Sequence, residues 1–381
     1  MALSEYFDEL LPVISQTLAN SAAEIDRRGA FPAENFALLR QHGLLSLALP
    51  VSAGGSGAGL AECRAVIAAV AQGEPSTALI LIMQYLNARR LGEDAGWPAG
   101  LRGQVAQSMV EHGALINALR VEPELGTPAR GGLPATTARR SADGWRISGE
   151  KIYSTGSVGL SWFLVWARSD EDDPLVGAWL VPASAHGIHI KEEWDHLGMR
   201  ATCSHRVVLE DVWVPQENAV NVSRWSAPRP GLNDEENLWM AVLLGSLYDA
   251  VARAAQRDFI HFLQQRVPAN LGQPLASLPR FQELTGRIET LLFTSRTLLN
   301  SAEAGQIAAA DAAKVKQVTI DNAIRSVQLM VEHIGNPALT RTSPFERHLR
   351  NVLCGRIHTP QDDLIFTAAG KAALQSSRSK Q

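Results

Sequence analysis

Residues 143–156, DGWRISGEKIYSTG, set how the rest of the chain is read. Inside them, WRISGEKIYST (145–155) is the first of several short runs rich in Trp, Val and Ile. WFLVWA (162–167), VGAWLV (176–181), GIHI (187–190) and RVVLEDVWV (206–214) follow, separated by Gly, Asp and Pro. Short β-branched and aromatic runs between turn residues are strand signals. The acidic break Ser169–Pro174 reads as a solvated hairpin loop between two of them.

On either side of this β island the period is helical. Upstream, Pro32 stands near a helix start, Leu44–Pro50 is a short apolar stretch, and an Ala-rich segment runs from Leu60 to Arg90. Downstream, Leu244, Tyr248, Val251, Ala255, Phe259 and Phe262 form one apolar stripe. Leu284, Ile288, Leu291 and Leu298 form a second, and Ile320, Ile324, Val327, Val331 and Ile334 a third. Gly335 with Pro337 just after it reads as a helix stop, and the tail SSRSKQ (376–381) as frayed. Helices, then strands, then helices favour an α+β chain, mostly α, over a doubly wound sheet. The expected domains are an N-terminal helical domain (1–117), a central β domain (118–225) and a C-terminal helical bundle (226–381).

Composition narrows the function classes. The 381 residues are 46% apolar and 19% charged with a formal net charge of −4, which suits a folded core. No basic stripe marks a nucleic-acid partner, and no apolar run nears the roughly 18 residues of a membrane span. Cys63, Cys203 and Cys354 are far apart, so neither a disulfide framework nor a metal site is expected, and a reducing cytoplasm fits best. GGSGAG (54–59) imitates a dinucleotide loop. Counted from Gly55, however, its sixth position is Leu60, and no β-α-β unit surrounds it; it reads as a turn joining helices.

Five segments resemble the acyl-CoA dehydrogenase family, in the family's order. They are LLRQHGLLSLALPVSAGGSGAGLAECRAVIAAVA (38–71), DGWRISGEKIYSTG (143–156), LGMRATCSHRVVLEDVWVPQEN (197–218), GQPLASLPRFQ (272–282) and SPFERHLRN (343–351). The resemblance implies that the central domain is β-barrel-like and the C-terminal one a four-helix bundle, with a flavin, FAD in the dehydrogenases, lying between them and a second subunit contributing to the site. It also implies a homodimer or homotetramer and no membrane or nucleic-acid partner.

Several flavin-binding residues are implied in turn. Glu122, Gly126 and Thr127 stand in RVEPELGT, where the family has its loop over the flavin. Tyr153 and Thr155 hold the family's aromatic and hydroxyl positions against the ring, and such tuning is what the protein adds to a cofactor's own chemistry. Arg266 corresponds to an arginine that meets the flavin pyrophosphate, for which guanidinium geometry is suited. Gln282 and Gly335 match further cofactor positions, and Arg200 is expected to brace the active-site loop or approach substrate.

Dehydrogenation removes a proton alpha to a thioester while flavin N5 takes a hydride from the beta carbon. The family's usual carboxylate base falls nine residues after Arg350, and that position is Thr359. Some members carry the base ten residues before a helix glycine, which here is Glu235 before Gly245. A base at Glu235 would need partial burial to raise its pKa, while an acidic first helical turn is the ordinary alternative. The flavin monooxygenases of the same fold carry a histidine eight residues after the arginine, here His358, near flavin C4a. Three readings follow: an acyl-CoA-type dehydrogenase passing electrons to an acceptor such as electron-transfer flavoprotein; a two-component monooxygenase fed reduced flavin, FMN in that case, by a flavin reductase; and a binding protein that has lost the chemistry.

Overall fold

The computed structural model describes residues 3–92, 96–127, 131–227 and 233–376. The expectation for the tail beyond Ser376 lies outside them.

Five helices come first: α1 (Leu3–Arg28), α2 (Ala33–Gln41), α3 (Leu60–Gly73), α4 (Pro75–Ala88) and α5 (Ala99–His112). The Ala-rich segment is two helices rather than one. Glu74 breaks it: its carboxylate accepts from the backbone N–H of Ser76 and Thr77, and Pro75 takes the first position of α4, an N-cap joined to the ring that best tolerates a helix start. Helix α4 is buried nearly all round, so it forms the middle of the first layer. The GGSGAG segment leads from a short 3-10 turn into α3, with no strand on either side.

The strands among the described residues are β1 (Ile116–Leu119), β2 (Thr137–Arg140), β3 (Gly144–Lys151), β4 (Trp162–Ser169), β5 (Leu175–Pro182), β6 (Ile188–Lys191), β7 (Arg206–Pro215) and β8 (Ala219–Arg224). Their order is β6-β7-β3-β2-β4-β5-β8, with β1 parallel to β4. The rings of Trp145 on β3 and Trp179 on β5 meet edge to face at 5.5 Å, although β2 and β4 lie between those strands. The sheet therefore curls around its own interior, and both indoles are buried there. The acidic segment 170–174 is the β4–β5 turn, closed by Leu175 N–H donating to Ser169 Oγ.

The last part is helical: α6 (Asp234–Gln265), α7 (Pro279–Glu303), α8 (Ala312–Ile334), the single-turn α9 (Asn336–Leu339), α10 (Pro344–Leu353) and α11 (Asp362–Ser376). Helices α6 and α8 pass so close at Gly245 that a Cβ there would stand 2.6 Å from Thr319 Oγ1. By length and composition α6 could cross a membrane, with a mean hydropathy of 1.3 over its best window, which corrects the expectation that no run is long enough. That window is 83% buried within the protein, as a core helix is. The buried face of α7 runs through Leu284, Ile288, Leu292, Ser295 and Leu299, one residue away from the stripe expected at Leu291 and Leu298.

Candidate functional site

Strand β3 ends at Lys151, and the segment expected as strand through Thr155 is a turn instead. Ile152 N–H still donates to Val121 O, but Tyr153 then takes a φ of 54°. A non-glycine residue in the left-handed region costs on the order of 1 kcal/mol and is held only by its surroundings. Met199 and Cys203, in the facing loop, also have positive φ. These strained residues belong to two segments that touch. The Tyr153 ring is 58% exposed and meets the edge of Trp194 at 6.2 Å, and Trp194 in turn stacks on His196 at 4.1 Å.

A chain of hydroxyls runs beneath. Thr155 Oγ1 lies 3.1 Å from Ser204 Oγ, which lies 2.9 Å from Thr202 Oγ1, and Thr202 donates to Met199 O. Asn117 Nδ2 donates to Thr155 O, pinning the turn to β1. Ser154 Oγ and His196 Nδ1 are buried without a hydrogen-bond partner among the described residues, and burial pushes the His196 imidazole pKa down. Buried polar atoms are rarely left unpaired. A bare aromatic face, hydroxyls and orphaned polar atoms together fit a flat, hydrogen-bonding ring such as a flavin. The residues that would hold it are Tyr153, Thr155 and their neighbours in the facing loop.

The facing loop is tied to the C-terminal helices. A Cβ on Gly198 would stand 2.2 Å from Arg350 O, so only glycine allows the loop to lie against α10. Met199 N–H donates to Asn351 Oδ1. The Arg350 guanidinium binds both carboxylate oxygens of Asp26, both of Glu346, and Leu197 O. Those bonds, Glu346 first, push its pKa up. Arg200 donates to Asp26 O, Asp195 Oδ1 and His196 O. Of its two expected roles, these contacts are those of bracing: they hold this loop against α1.

Just past α10, His358 lies partly buried, with Nε2 2.6 Å from Tyr248 Oη on α6. Lys316 Nζ on α8 donates to His358 O at 2.5 Å and Pro360 O at 2.6 Å. Burial, then the Lys316 charge, pushes the His358 pKa down to about 3, so the imidazole is neutral near pH 7. Burial pushes Lys316 down to about 8, against the pull of Asp362.

Glu235 does not have the burial that a base needs. Its side chain is 66% exposed and forms an ion pair with Arg89 Nη2 at 2.7 Å, and Arg89 rests over the Trp239 ring. Glu236 beside it completes a capping box with Asn233 and pairs with Arg90. The acidic cluster does what helix N-termini ordinarily require.

Glu122 faces into its own loop. It is 2% exposed, and its carboxylate accepts from Ala135 N–H, Thr136 N–H, Thr136 Oγ1 and Lys151 Nζ, so it organises its loop from within. Gly126, at φ 69°, bridges back to Glu122 in a tight hairpin, and Thr127 follows it. Arg266 caps α6 at the surface. Gln282 folds onto Ala276 O and Ser277 O, and Gly335 caps α8 with φ 73°. No hydrogen bond or ion pair among the described residues joins these three to the Tyr153 turn.

Sequence reading missed Asn117, Trp194, Ser204, Tyr248 and Lys316 as parts of the site. Lys316 had a signal: it precedes Ile320 and Ile324 in phase with the apolar stripe of α8, a place where a charge needs a reason.

Residues 7–93, 120–212 and 244–362 match the N-terminal, middle and C-terminal domains of acyl-CoA dehydrogenase. The YdbM protein of Bacillus subtilis (strain 168), whose name assigns it to the acyl-CoA dehydrogenases without fixing its activity, is 30% identical over 370 residues, covering 95% of each chain. The L-evernosamine nitrososynthase of Micromonospora sp. is 26% identical over 317 residues, 81% of this chain and 70% of that one. KijD3, solved in complex with FMN and a dTDP-linked amino-keto sugar, superposes with a TM-score of 0.82 at 24% identity over 98% of this chain and 94% of that one.

Proposed function

This chain belongs to the acyl-CoA dehydrogenase family, and we propose that within it the protein is a two-component flavin-dependent monooxygenase. One observation carries the reading. Where a dehydrogenase needs a carboxylate base there is Thr359, and next to it His358 is bonded to Tyr248 and kept neutral by burial and the Lys316 charge. The other carboxylate, Glu235, is exposed and paired with Arg89.

Bound reduced flavin, FMN in this reading, supplies the two electrons with which O2 gives one oxygen atom to the substrate and the other to water. The protein's residues do the rest. Tyr153 gives the ring an apolar face, and Thr155 and Ser204 offer hydroxyls at its edge. His358 presents an uncharged hydrogen-bonding group from the C-terminal side. The partners are a small-molecule substrate, a flavin reductase that delivers the reduced flavin, and a second copy of the chain.

The test is the flavin state of the purified protein and the reoxidation of its bound reduced FMN by O2. Little flavin on isolation, binding of reduced FMN, and a reoxidation time course that differs from free FMN and changes in His358→Asn support the reading. Tightly bound FAD, bleached anaerobically by an acyl-CoA, overturns it. That result favours the dehydrogenase reading, to which the YdbM relationship gives weight. Bleaching lost in Glu235→Gln with FAD retained would then make Glu235 the base.

A further inference from the structure

We propose that Tyr248 and Lys316 are positioning residues that hold His358 as its Nδ1–H tautomer, so that the imidazole offers the site a hydrogen-bond donor and no basic nitrogen. The proposal rests on the reading that His358 borders the flavin site.

The argument begins with the phenol. Tyr248 lies in the middle of α6 and is fully buried. A phenol proton needs an acceptor, and among the described residues the only group bonded to the Tyr248 hydroxyl is His358 Nε2. Burial pushes the phenol pKa up, so the proton stays on oxygen. Tyr248 therefore donates and Nε2 accepts. A neutral imidazole carries one proton, which leaves it on Nδ1. The reverse arrangement would bury the phenolic hydrogen unpaired, which folded proteins avoid.

Lys316 fixes the other half of the geometry. Its ammonium bridges the carbonyls of His358 and Pro360 and so clamps the backbone on which the imidazole turns. Gly355 lets that segment sit down on α6: a Cβ there would stand 2.6 Å from Ile320 and 3.3 Å from the Tyr248 ring. The charges around the ring agree with a neutral imidazole. Lys316 from α8 disfavours a second cation, Asp362 at the start of α11 acts on Lys316, and the Cys354 thiol next to Tyr248 has its pKa pushed up by burial. No carboxylate among the described residues bonds the imidazole. The ligand atom that suits an N–H donor here is an acceptor, such as a ring carbonyl of a flavin or an oxygen of the substrate.

Full-length protein with 15N-labelled histidine tests this by long-range 15N–1H correlation, His358 being assigned by its loss in His358→Asn. The expected pattern is a protonated Nδ1 and a bare Nε2, unchanged between about pH 5 and 8. In Tyr248→Phe the pattern should become a tautomer mixture, because Nε2 no longer has a phenol proton to accept. A protonated Nε2 in the wild-type protein overturns the proposal, as does a Tyr248→Phe spectrum identical to wild type. Should Tyr248→Phe not fold, the wild-type pattern decides alone. If that pattern is found but His358→Asn leaves reoxidation of bound FMN unchanged, the tautomer stands and the monooxygenase reading falls.

Discussion

Two lysines lie buried among the described residues, and burial lowers each to about 8. Lys151, at the end of β3, faces the carboxylate of Glu122 at 2.6 Å. Hydrogen bonds from Lys151 and Thr136 offset the burial of that carboxylate and hold its pKa below the usual range. Lys316, on α8, has only carbonyl oxygens for direct partners. The first lysine closes a charge-neutral strut inside the β domain. The second spends its hydrogen bonds on the loop that carries His358, the histidine of the proposed site. The same residue type under the same burial thus serves stability in one region and placement in the other.

The strut should give the largest effect. Lys151→Met leaves Glu122 buried without its cation and should cost about 3–5 kcal/mol in denaturant unfolding, whereas pairing it with Glu122→Gln should recover a good part of the loss. If the double variant is no better than the single, the two groups are not coupled and the contrast fails.

Next comes pH. A lysine with a lowered folded pKa binds fewer protons than the unfolded chain between about 8 and 10.5, so stability rises with pH across that window. For Lys316 the shift corresponds to about 3 kcal/mol at most, read as the wild-type rise that Lys316→Met loses. A flat difference between the two would remove Lys316 from the comparison.

Lys316→Met at neutral pH should cost about 2 kcal/mol, since two carbonyls lose their donor while a desolvation penalty is relieved. Its larger consequence should be a mobile His358, seen as line broadening of that ring. Glu235→Gln should change stability least, by under about 1 kcal/mol, because its ion pair with Arg89 is open to solvent on the carboxylate side. A larger loss there would mean that Glu235 is more enclosed than its geometry indicates.

How far the sequence could be read follows the same division. Periodicity disclosed the helix–sheet–helix order because every stripe repeats many times, and local errors average out. The break at Glu74 and the one-residue rotation of α7 were lost because a cap and a helix phase each depend on a single residue. At the candidate site, the family resemblance named Tyr153, Thr155 and His358 before any coordinates, but not what surrounds them. The left-handed turn at Tyr153 is imposed by its neighbours. The engagement of Arg200 by α1 and the burial of Glu122 depend on partners up to 174 positions away in the chain. No local pattern records such distances.

Arg350 joins α1, the loop at Leu197 and α10 through one side chain. The amino-terminal layer, the middle of the chain and its closing helices therefore lose hydrogen bonds together when that residue lets go. Amide exchange should find the last turn of α1 and the first of α10 opening at a common free energy rather than fraying separately. Newly made chain cannot tie α1 to α10 through this side chain until nearly all of the polypeptide has left the ribosome.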